Sequence, residues 1–146
     1  MPDRARRMMF LGMVLFVVGL VSGLAMPLFR NPRMGLSAHL EGVLNGLFLM
    51  AAGLVWPHVR LAEVRAGVAW RLALLGTWGN WAVTTLAAIL GTKSLTPIAS
   101  AGFGAGRWQE TLVTFGFATS GLAILAAAVL LAIGLAGRGA GAAKGS

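Results

Sequence analysis

Three side chains able to do chemistry lie within seven residues of one another in a long apolar stretch: His39, Glu41 and Asn45, inside residues 31–57 (NPRMGLSAHLEGVLNGLFLMAAGLVWP). Residues 36–56 are long and apolar enough to span a bilayer. Ionisable and amide groups inside a spanning helix are expensive unless paired or hydrated, so they read by default as a functional site. An imidazole can ligate a metal, a carboxylate can carry a proton, and a carboxamide can orient a polar substrate. The sequence has no cysteine, which removes disulfides, thiolate metal sites and thiol nucleophiles.

These residues need a scaffold, and the composition points to an all-α membrane protein. The 146 residues are 58% hydrophobic and 11% charged, more apolar surface than a soluble domain of this length can bury. Four apolar runs are long enough to span, at about 8–28, 36–56, 70–90 and 111–135. They predict one four-helix bundle over residues 1–136, followed by a flexible Gly/Ala-rich tail at 137–146. The first run follows Arg4, Arg6 and Arg7 and ends in SGLAMP, as a signal peptide does, but it exceeds a signal core in length and reads as a retained span. The net charge of +8 is not a nucleic-acid footprint, because the basic residues sit at the ends of apolar runs. Arg4, Arg6, Arg7, Arg60, Arg65, Arg71, Arg138 and Lys144 on one side outnumber Arg30, Arg33, Lys93 and Arg107 on the other. Both termini are therefore expected on the cytoplasmic side of a bacterial-type inner membrane. The connection at 91–110 is the longest and reads as a lid or a plain loop.

Depth brings the polar groups together. At about 1.5 Å per residue, His39 lies about 5 Å, Glu41 about 8 Å and Asn45 about 14 Å below the outer end of the second span. Asn80 in the third span reaches the level of Asn45, and Thr84 that of Glu41. Gln109, Glu110, Thr111 and Thr114 open the fourth span at the outer side. Each has a plain structural role available: back-bonding for Thr77 and Thr84, an interhelical hydrogen bond for Asn80, a bridge to Arg33 for Glu41. Gly42 and Gly46 share a stripe with His39, spaced for close helix packing or for room beside the histidine for a flat ligand or a neighbouring subunit. His58 is about 28 Å from His39 along the helix, so any metal centre has one histidine ligand per chain.

The segment NPRMGLSAHLEGVLNG, with GTWGNW at residues 76–81, resembles the membrane-bound hydroxylaminobenzene mutases and, more distantly, the styrene oxide isomerases. The pattern is His39-x5-Asn45-Gly46 together with Trp78-x-Asn80. The resemblance implies a homotrimer in membrane lipid, with a b-type haem between subunits and His39 as its axial ligand. It also implies conversion of hydroxylaminobenzene to 2-aminophenol. Asn45 and Asn80 would orient the NHOH group and Glu41 would shuttle a proton. Gly42 and Gly46 would leave space for the cofactor, while Arg33 and Arg107 would pair with propionates. Trp78, Trp81 and Thr84 would line the substrate pocket, Thr84 standing where the isomerases carry a tyrosine. Epoxide-to-aldehyde isomerisation is the alternative reaction. A non-catalytic membrane subunit or small transporter is the alternative class.

Overall fold

The computed structural model describes residues 2–137, so the tail expected at 137–146, with Arg138 and Lys144, lies outside the described residues but for Gly137. Among the described residues every regular element is helical: α1 (Pro2–Ala25), α2 (Pro32–Val55), α3 (Glu63–Leu90) and α4 (Arg107–Leu135), with 3-10 turns at Met26–Leu28 and Trp56–His58. All four helices are long and apolar enough to cross a membrane. Even the 24-residue helices α1 and α2 extend about 36 Å, against a hydrocarbon core of about 30 Å.

The helix ends follow local chemistry. Asn31 caps α2, its Oδ1 accepting from the backbone N–H of Arg33 and Met34, with Pro32 in the first turn where no N–H is missed. Gly91 stops α3 in the left-handed conformation at φ 68°, which an L side chain adopts only with strain. Gln109 folds back to accept from Gly106 N–H at 2.7 Å and so opens α4.

Small residues set the packing. A Cβ on Gly42 would stand 2.4 Å from Gly19 Cα, and one on Gly46 would stand 2.6 Å from the Phe16 nitrogen. Here α1 and α2 touch backbone to backbone, which is how apolar helices associate where lipid competes for every larger side chain. α3 lies against α2 and, more lightly, α1. α4 departs from the closed bundle the spans suggest. It leans on α3, makes almost no contact with α1 or α2, and is the least buried span. Its outward side carries Phe115, Leu122, Leu125 and Val129, all exposed and suited to lipid or a neighbouring chain.

The connection between α3 and α4 is folded over one end of the molecule. Asn31, fully buried, donates through Nδ2 to Ala99 O and Ser100 Oγ, both at 3.2 Å, while its backbone N–H donates to Ala88 O. Arg30 donates to Leu90 O and Gly104 O. Glu110 accepts from the backbone N–H of Lys93, Ser94 and Ala105. Side chains of Arg30, Asn31 and Glu110 thus tie this cap segment to the helix ends.

Candidate active site

The face that α2 turns toward α3 carries the polar cluster. Glu41 and Asn45 are one helical turn apart, so their side chains meet, and Asn45 Nδ2 donates to Glu41 Oε2 at 3.1 Å. Asn80 of α3 donates to the same oxygen at 2.5 Å. Asn45 Nδ2 also reaches Thr77 O at 3.4 Å, which fixes the amide between the two helices. Two amides therefore hold one carboxylate oxygen, and Oε1 has no partner among the described residues. Asn45 is 8% exposed while Glu41 and Asn80 are partly exposed, so the cluster opens at its carboxylate end.

The threonines serve their own helix. Thr77 Oγ1 donates to Ala73 O at 2.7 Å, and Thr84 Oγ1 to Asn80 O at 2.8 Å. Trp78 and Trp81 stand edge to face with ring centres 6.1 Å apart. Their indole N–H groups differ: Trp81 Nε1 donates to Ser22 Oγ at 3.1 Å, whereas Trp78 Nε1 is buried with no acceptor among the described residues.

His39 faces the other way. Two residues from Glu41 is about 200° around the helix. Its Nδ1–H donates to Gly19 O at 2.9 Å, and Gly23 lies so close that a Cβ there would meet Nδ1 at 2.7 Å. With the proton on Nδ1, Nε2 keeps its lone pair. The ring lines an open apolar groove of about 460 Å³ with Leu20, Gly23, Leu24, Met26 and Leu36.

Several expected partnerships within the chain are not made among the described residues. Gly42 and Gly46 give no room to a ligand, because α1 fills that space with its own backbone. Arg33 does not bridge to Glu41. It donates to Ala101 O and stacks over Phe103 at 5.7 Å, because it sits at the start of α2 under the cap rather than a turn further down. Arg107 opens α4, the helix remote from α1, and lines a separate groove with Trp108, Leu112 and Phe115, away from His39. Gln109 and Glu110 close the cap instead of joining the cluster. Ser22, Asn31 and Arg30 were missed as placing residues. An Asn-Pro pair before an apolar run signals Asn31, but nothing local marks Ser22.

Fold and site together define a class, a protein helical throughout its described residues, with four helices long and apolar enough to cross a membrane and a carboxylate with its amide clamp between two of them. The styrene oxide isomerase family matches residues 4–136. The chain belongs to that family, and it is an isomerase. It is 42% identical over 132 residues to hydroxylaminobenzene mutase HabB of Ectopseudomonas oleovorans, covering 90% of this chain and 80% of the relative. It is 40% identical over 125 residues to hydroxylaminobenzene mutase HabA of the same organism, covering 85% and 93%. No solved structure matches the chain.

Proposed function

We propose that the chain is a hydroxylaminobenzene mutase that converts hydroxylaminobenzene to 2-aminophenol. The carrying observation is the Glu41 carboxylate with Oε2 held by Asn45 and Asn80 and Oε1 left free. The reaction breaks the N–O bond, forms a bond from oxygen to the ortho carbon, removes the ortho proton and adds a proton to nitrogen. No net electrons are exchanged. A carboxylate with one oxygen fixed and one free suits that proton traffic, since Oε1 takes the proton from the ortho carbon and returns it to the nitrogen beside it. Asn45 and Asn80 act through Glu41, their Nδ2 groups being engaged there. The apolar walls, with Trp78 and Trp81, hold the aryl ring and keep out the water that would add at the para carbon.

The residues around His39 fit a haem that this histidine would hold. Nδ1 is anchored to a backbone carbonyl, Nε2 is free, and the groove it lines is apolar and open. His39 would hold the haem, which when bound would supply Lewis-acid chemistry to the site. His39 and Glu41 lie on different faces of α2, so a centre using both is completed by a second copy of the chain, in keeping with a homotrimer. In this reading the trimer sits in the inner membrane with its termini toward the cytoplasm, set by the excess of Arg and Lys on that side.

The test is an absorption spectrum of detergent-purified protein, wild type beside His39→Ala, with hydroxylaminobenzene and styrene oxide supplied as substrates. The expected result is a Soret band lost in the variant and 2-aminophenol from the first substrate. Absence of the band in the wild type sinks the haem assignment. Aldehyde from styrene oxide without 2-aminophenol moves the chain to the epoxide reaction, which the family match favours as the second reading.

A further inference from the structure

One turn of α1 touches both faces of the site. Gly19 O accepts from His39 Nδ1, and Ser22 Oγ accepts from Trp81 Nε1. Ser22 itself donates to Val18 O at 2.9 Å. An indole N–H only donates, so the direction is fixed: Trp81 gives its proton to Ser22, and Ser22 gives its own to the α1 backbone. Ser22 is 5% exposed, so water does not replace it freely.

Trp81 is placed where its orientation matters. Its Cδ1 stands 3.0 Å from where a Cβ on Gly42 would lie, and Gly42 follows Glu41 in α2. The residue before Trp81 is Asn80, whose amide reaches Glu41. The indole thus packs between Ser22 of α1 and Gly42 of α2, one residue along each helix from the Asn80–Glu41 bond, and the proposed function makes it part of the aryl pocket there. The helix fixes where the ring starts, but only a bond at its edge fixes which way the ring is turned, because the terminal torsion of tryptophan is broad.

We propose that Ser22 is a positioning residue that holds the Trp81 indole, and through it the aryl ring of an aromatic hydroxylamine, so that oxygen is delivered to the ortho carbon. The proposal rests on the mutase reading. An aryl ring free to rotate in its pocket presents the para carbon to water, so the product ratio reports the wall directly.

The experiment measures ortho- to para-aminophenol, with kcat and KM, for purified wild type, Ser22→Ala, Ser22→Thr, Trp81→Phe and the Ser22→Ala/Trp81→Phe pair. Ser22→Ala lowers the ratio about tenfold and raises KM more than it lowers kcat. Ser22→Thr, which keeps the hydroxyl, restores the ratio. Trp81→Phe lowers it alike, and adding Ser22→Ala changes nothing further, because the two residues act through one bond. A folded Ser22→Ala with the wild-type ratio, or additive losses in the pair, overturns the proposal. If Ser22→Ala does not fold, Trp81→Phe carries the same test, and an unchanged ratio there overturns it. Should wild type make no aminophenol, the mutase reading falls by itself. The Trp81 indole N–H resonance then decides the bond: a shift in Ser22→Ala reversed in Ser22→Thr upholds it, and no shift overturns it.

Discussion

The two faces of α2 hold the protein together by opposite means. Toward α1 the helix presents Gly42, Gly46 and Gly53, and the backbones close until no Cβ fits between them. Toward α3 it presents Glu41 and Asn45, and the gap is bridged by side-chain hydrogen bonds. The first face is rigid because many weak contacts are lost together if it opens. The second has fewer constraints, and Glu41 Oε1 there has no partner among the described residues. One helix thus carries a close-packed seam and a hydrogen-bonded one. His39 is a polar exception on the close-packed side, tied by Nδ1 to Gly19 and open at Nε2.

The hardest test of that contrast is to put a side chain into the dry seam. Gly42→Leu forces α1 away from α2, since even a Cβ would stand 2.4 Å from Gly19 Cα. The expected cost is about 4 kcal/mol or more, seen as loss of the monodisperse folded peak in detergent. Gly121→Ala is the control. That glycine on α4 has nothing within 4 Å of a new Cβ, so alanine is neutral or stabilises by up to about 1 kcal/mol. Equal melting temperatures for the two variants would remove the distinction between the faces.

On the hydrogen-bonded seam, activity and stability are expected to come apart. Glu41→Gln keeps an oxygen that accepts from Asn45 and Asn80, so the fold and melting temperature stay near wild type while kcat falls by about 10²–10⁴. Asn80→Ala removes one clamp but leaves the carboxylate, and the expected loss is about tenfold. The reverse order, with Asn80→Ala the more damaging in kcat, would mean that the amide and not the carboxylate meets the substrate.

How far this was legible in the sequence varies with the physics. Spanning helices were readable because length and apolarity are summed over twenty residues and no partner needs to be known. The helical rise alone puts Asn80 level with Asn45 and Glu41 level with Thr84, whereas the structure bonds Asn80 to Glu41. Direction around the helix was readable only up to the identity of the neighbour. Gly42 and Gly46 announce a close approach but not what approaches, and α1 fills a space that equally suited a flat ligand. Arg33 and Glu110 were harder, because their partners are backbone groups of the segment between α3 and α4, which no residue type labels. Ser22 is the limiting case. A lone serine in an apolar helix reads as bonded to its own backbone, which is true of Ser22, and its second bond to Trp81 depends on how three helices meet.

The smallest predicted effect separates the two tryptophans. They stand 6.1 Å apart on one turn of α3, yet the Trp81 N–H has Ser22 while the Trp78 N–H is buried without an acceptor among the described residues. Removing an unsatisfied buried donor recovers about 1–3 kcal/mol, and trimming an indole to a phenyl ring forfeits a comparable amount in packing. Trp78→Phe is therefore expected within about 1 kcal/mol of wild type by thermal unfolding in detergent. Trp81→Phe loses packing with no such return and leaves Ser22 without its donor, so it melts lower. If Trp78→Phe is the less stable of the two, the Trp78 N–H has an acceptor in the assembled protein.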